Sequence, residues 1–143
     1  LFKKNNKKYL SYEIVEVRLK KKTATVKIKV TQPDYYVAFT HAYYDYLNWY
    51  EDYYYMNNKT PLDSLAGNRL NRYVKRSIKK YGLEQKKRTV KFILQKTSRG
   101  WKIKKANNRI KDIAAMRNYQ AYEEAQFCWE NNEDIDECIE IFK

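Results

Sequence analysis

Glycine is scarce here: 3 residues in 143. No glycine-rich loop can therefore cradle a nucleotide phosphate, and neither a P-loop nor a dinucleotide fingerprint is present. Histidine is scarcer still, with His41 alone. The cysteines, Cys128 and Cys138, form no C-x-x-C pair. A zinc site needs thiolates and imidazoles clustered at short spacing, so no metal is expected, and no cofactor motif appears. Two readings of the cysteines stay open. They form a disulfide that closes a small loop outside a reducing compartment, or they are buried free thiols on amphipathic helices. No apolar run reaches the roughly 20 residues of a membrane-spanning helix, and none looks like a signal segment. The first residue is Leu1 rather than methionine, which reads as a cut point: a longer chain trimmed, a leader removed, or a cytosolic fragment.

What the chain has in abundance is tyrosine and lysine. There are 15 Tyr, and aromatics reach 16%. Tyrosine buries a ring and keeps a polar tip, so many rings should sit half exposed. Lys and Arg number 30 against 17 Asp and Glu, a net charge of +13. The balance is uneven. From Glu123 to Lys143, eight carboxylates meet one lysine, a net −7, while the remainder carries 29 basic and 9 acidic residues, or +20. An acidic tail on a basic body folds back on it or binds a second copy.

The chain is organised around Thr89 to Lys105. Val90, Phe92 and Leu94 alternate with Lys91, Ile93 and Gln95, the period of a strand with one better-buried face. Thr97-Ser98-Arg99-Gly100 makes a turn, with Gly100 free to take a positive φ. Trp101-Lys102-Ile103-Lys104 returns, with Trp101 and Ile103 on one face; Trp101 should be largely buried. A second hairpin pairs Tyr12–Leu19 with Thr23–Thr31 through the lysines 20–22. Tyr12 and Ile14 fall out of phase with Val15, Val17 and Leu19, which predicts a bulge near Ile14-Val15.

Pro33 should end the second strand, and Asp34 should cap a helix from Tyr35 to about Met56. That helix carries a wide aromatic stripe, which fits packing against a sheet. Thr60, Pro61 and Asp63 read as the capped start of another helix, ended by Gly82. Its apolar side includes Leu70, Val74 and Ile78. Asn107-Asn108 should open a further helical segment, and Ile135, Cys138, Ile139 and Phe142 lie on one side of the last one. The order is β-β-α-α-β-β-α-α. We expect a single α+β domain over residues 1–143, built on an antiparallel four-stranded sheet with helices on one face. It comprises a basic stub (1–10), the sheet (12–105) with a helical insert (35–82), and a helical tail (107–143). The tail should dock on its own chain, or on a second copy as a homodimer through residues 123–143.

The strand pair YEIVEVRLKKKTATVKIKV, the PD after it, the helical insert and the closing KFILQKTSRGWKI resemble small cell-envelope domains of Gram-positive bacteria. Those domains have the cystatin-like, nuclear-transport-factor-2-like fold, and many are lipoproteins or secreted proteins. The likeness covers Tyr12 to about Asn107 and rests on packing and turn motifs. It implies a cell-envelope or extracellular location, with a cytoplasmic one as the alternative. Two departures stand out. Such domains begin with a helix or two that pack into the concave side of the sheet, where this chain has a stub, and they lack its helical tail.

Two constellations bear on function. His41 and Asp45, four residues apart, share a helix face and could form an acid–base pair in a pocket. With no nucleophile, metal or phosphate motif beside them, no enzyme is expected. Arg69, Arg72, Lys75, Arg76, Lys79 and Lys80 form a continuous basic helix face, and Trp49 and Tyr53 could add rings beside it. These eight are the candidate binding residues. The favoured reading is a non-catalytic domain that binds a protein or an anionic envelope ligand. The alternative is weak, non-specific nucleic-acid binding through the same face, aided by Lys91, Lys102 and Lys104. No helix-turn-helix or RNA-recognition signature supports sequence-selective readout.

Overall fold

Alternating apolar and polar side chains form both expected hairpins in a computed structural model of the chain. It describes residues 2–105, 110, 111, 114 and 117–142. These residues make two compact units: residues 1–34 with 84–116, and residues 35–83 with 117–143. The class is α+β, with a four-stranded antiparallel sheet in the first unit and four helices in the second.

The sheet unit runs α1 (Phe2–Tyr9), β1 (Ser11–Lys20), β2 (Thr23–Asp34), β3 (Glu84–Thr97) and β4 (Gly100–Ile103). The strands lie in the order β1-β2-β3-β4. The basic stub is thus a helix, α1, and it packs against β2. Tyr12, Ile14, Val17 and Leu19 face Val30, Ile28, Val26 and Ala24 across the first hairpin. The register shifts between Ile14 and Glu16, leaving Val15 as the extra residue. That bulge brings the two apolar phases of β1 onto one face. Val90, Phe92 and Leu94 continue the face from β3, and Ile103 pairs with Leu94. At the ladder's end, Thr97 Oγ1 donates to the Gly100 carbonyl at 2.8 Å, and Gly100 takes a φ of 104°.

The middle of the apolar face is buried at Ala24, Val30 and Val90, while Tyr12, Ile14, Val17 and Leu19 on β1 are exposed. Trp101 does not meet its expectation: it keeps 44% of its surface. Its strand is four residues long and lies at the sheet edge, with β3 as its one neighbour. Pro33 does not end β2 either, because pairing runs on to Asp34 opposite Glu84. β1 has already ended at Ser11, opposite Thr31. Beyond that point β2 has a partner on one side only, the setting in which a strand tolerates proline.

The helical unit holds α2 (Tyr36–Asn57), α3 (Asp63–Tyr81), α4 (Asn118–Glu130) and α5 (Ile135–Phe142). α3 and α4 pack on α2, and α5 packs on α4 and α2. The first turns of α2 are buried on every side: Tyr36, Ala38, Phe39, Thr40, His41 and Ala42. On α4 the residues turned inward are small. Ala121, Ala125 and Cys128 are fully buried and let the helix approach closely. Cys128 and Cys138 form a disulfide with their Cα atoms 6.3 Å apart, which decides between the two readings of the cysteines. The tail docks on α2 of its own chain: Trp129 donates to Asn48 at 3.1 Å, the Tyr44 hydroxyl donates to the Glu133 carbonyl at 3.1 Å, and Cys138 and Ile139 are buried.

Both expected helix caps fail. Asp34 belongs to β2, its carboxylate 3.9 Å from Lys86 Nζ, and Tyr35 precedes α2 without a side-chain cap bond. α3 starts at Asp63, with extended Leu62 before it, so Thr60 is not its cap. Gly82 does end α3, at φ 74°, its N–H donating to the Ile78 carbonyl. The expected helix start at Asn107-Asn108 lies outside the described residues.

Candidate functional site

Helical spacing puts the six cations of α3 on the side away from buried Val74 and Ser77. The structure divides them into two edges. Along the inner edge, the Arg69 guanidinium lies 5.0 Å over the Trp49 ring, and Trp49 is 5.6 Å from Tyr53. Arg69, Trp49 and Tyr53 are thus brought together. Arg76 donates to Asp45 at 2.6 Å and lies over Tyr73 at 4.9 Å. Lys80 donates to the Tyr81 hydroxyl at 2.9 Å, and that bond raises the lysine above its ordinary pKa. Arg72, Lys75 and Lys79 form the outer edge, exposed to solvent. The basic face is therefore partly engaged in the unit itself, with the inner edge seating α3 on α2.

The His41–Asp45 pair does not form. His41 is 6% exposed and stacks on Tyr81 at 3.9 Å. Its Nε2 lies 3.3 Å from Asp136 Oδ1, while Asp45 is held by Arg76. Burial lowers the His41 pKa, against the opposing pull of Asp136 and Asp45. The ring joins α2, α3 and α5 as a wedge.

A second polar cluster was not visible in the sequence. The Tyr36 hydroxyl bonds to Glu124, whose other oxygen accepts from Gln120 at 2.8 Å. Arg117 lies 3.9 Å over the Tyr36 ring and donates to Gln120 at 2.9 Å. Burial pushes the Glu124 carboxyl up to about 7. Nearby, Tyr43 donates to Asn118 at 2.7 Å. These bonds fasten α4 to α2. Tyr36 and Glu124 are 88 residues apart, so no local spacing could have paired them.

Sequence reasoning also passed over Lys27, Lys29 and Lys87, which join Lys91 on the polar face of the sheet. The alternation of β2 was a signal for two of them, but the register that gathers them was not legible. Among the described residues, no group of three or more His, Cys, Asp or Glu could hold a metal ion. None of the described helices is long and apolar enough to cross a membrane.

No protein-family model and no curated protein matches the chain. Among solved structures, the crystal structure of a candidate lipoprotein, ycdA of Bacillus subtilis, is similar to 74% of it at 17% identity, with a TM-score of 0.39. The match spans 32% of that protein's own chain.

Proposed function

We propose that this chain is a non-catalytic binding domain that works in the cell envelope or outside the cell and recognises an anionic partner. The observation that carries the location is the Cys128–Cys138 disulfide, since such bonds persist in oxidising compartments. Anion recognition falls to the outer edge of α3, where Arg72, Lys75 and Lys79 stand exposed. Arg69, Trp49 and Tyr53 end that edge with a cation resting on a ring, and Arg76 and Lys80 back it with fixed charge. The cystatin-like, nuclear-transport-factor-2-like relation belongs to this reading. Its support is a four-stranded antiparallel sheet preceded by a helix packed on β2.

The test compares wild type with an Arg72→Gln/Lys75→Gln/Lys79→Gln variant for retention on purified cell envelopes and on an anionic matrix. Weaker retention of the variant at low salt is the expected result. Equal retention of both proteins on each support sinks the α3 assignment. Tight, sequence-selective binding of an oligonucleotide in moderate salt would sink the envelope reading as well.

A further inference from the structure

The sheet has a polar face as well as an apolar one. The register places Lys27 between Glu16 and Lys91, Lys29 between Glu13 and Thr89, and Thr31 between Ser11 and Lys87. Toward the turn, Thr25 lies between Arg18 and Ile93, and Thr23 between Lys20 and Gln95. Lys102, opposite Gln95, extends the face onto β4. The acidic side chains on these paired positions are Glu13 and Glu16, both on β1, and Glu16 is taken by Arg18 at 2.5 Å. Lys27 and Lys91 stand directly opposite each other, an arrangement that destabilises a bare sheet.

Two shallow hollows open on this face. One, of about 450 Å³, is lined by Lys29, Lys87, Arg88 and the hydroxyl residues among them, with Tyr12 and Glu13 also in its wall. The other, of about 300 Å³, is lined by Arg18, Lys20, Lys27, Lys91 and two threonines, with Glu16 in its wall beside Arg18. Each sets ammonium or guanidinium groups beside hydroxyls. Alternate residues along a strand are roughly 7 Å apart and neighbouring strands roughly 5 Å. The cations therefore form a ladder of regular spacing along β2 and β3.

We propose that this face binds an extended, hydrophilic polyol-phosphate polymer, lysines on the phosphates and threonines on the polyol hydroxyls. Three observations select that occupant. One ring, Tyr12, stands in the wall of the first hollow, and no row of rings follows it along the paired positions for successive bases of a nucleic acid to stack on. Ile93 is its one large apolar residue, so it has no wedge to enter a lipid layer. The disulfide puts the chain where envelope polymers are. The choice of occupant rests on the location in the proposed function, but the site shares no residue with α3, so the two binding surfaces can fail separately.

The experiment titrates a synthetic glycerol-phosphate oligomer into the whole chain over a salt series. Wild type is compared with Lys27→Gln/Lys91→Gln, with Lys29→Gln/Lys87→Gln, and with a charge-matched control, Lys7→Gln/Lys59→Gln, outside both basic surfaces. All the substituted positions are polar and at least partly exposed, and circular dichroism checks the fold of each. We expect both sheet variants to bind more weakly and the slope of log K against log salt to drop by roughly 1 per lysine removed. The control variant should bind as wild type does. Unchanged affinity in both sheet variants overturns the inference and leaves the α3 reading standing. Tighter binding of a dT oligonucleotide or of phosphatidylglycerol vesicles than of the oligomer overturns the choice of occupant.

Discussion

Gln32 is buried to 1% in β2, and among the described residues neither polar atom of its amide has a hydrogen-bond partner. A buried polar group left unsatisfied costs about 1–3 kcal/mol. Gln32→Met keeps the length of the side chain and removes the amide, so it should stabilise the fold by about that amount; a lower melting temperature would show that the amide is satisfied. Glu124 makes a different demand. Its folded pKa of about 7 lies above the ordinary 4.5, so between those values the folded state holds more protons than the unfolded one. Stability should fall as pH rises through that window and level off above it. His41 works the other way: its lowered pKa makes stability fall as pH drops below 6.5. In Glu124→Gln the first trend vanishes, so melting temperature should rise with pH toward 6.5. A variant that still lost stability between pH 4.5 and 7 would clear Glu124 of that role.

At the scale of elements, what was legible followed from local pattern. The hairpins came from period-2 alternation and Gly100, and the bulge came from a phase conflict within β1 itself. The caps misled because their partners are distant: Asp34 is drawn into a ladder by Glu84, fifty residues on. On α3 the basic face was legible by spacing, yet its division into two edges depends on Asp45 and Trp49 of another helix. Trp101 shows the limit in magnitude. A fully buried tryptophan costs roughly 3–5 kcal/mol on truncation to alanine. At 44% exposure, Trp101→Ala should cost about half of that, read from chemical denaturation. A loss at the full-burial level would mean the edge is covered in solution. The disulfide closes a loop between residues ten apart, worth about 2–3 kcal/mol by chain entropy. Cys128→Ala/Cys138→Ala should lower the melting temperature accordingly, and reductant should lower that of wild type but not of the variant.

For the whole molecule, the acidic tail is structural. Asp136 is exposed, and burial holds the His41 it meets toward the neutral form, so charge adds little there and Cys138 and Ile139 do more of the holding. Truncation after Ala125 removes both, along with the disulfide. A lower melting temperature and greater binding of hydrophobic dye are expected; a truncated chain that melted unchanged would make the tail an appendage. The bulge has a consequence of another kind. β1 is an outer strand of ten residues, and Tyr12, Ile14, Val17 and Leu19 beside it are 53–72% exposed. Without Val15, its residues would alternate without interruption, every side chain keeping its present face. The strand would then be a straight template for another strand, and apolar surface would help the two adhere. Deleting Val15 should leave the monomer folded and make it polymerise in concentrated solution, visible as rising light scattering. One surplus valine would then be what keeps the outer edge of the sheet from serving as a template for a second copy.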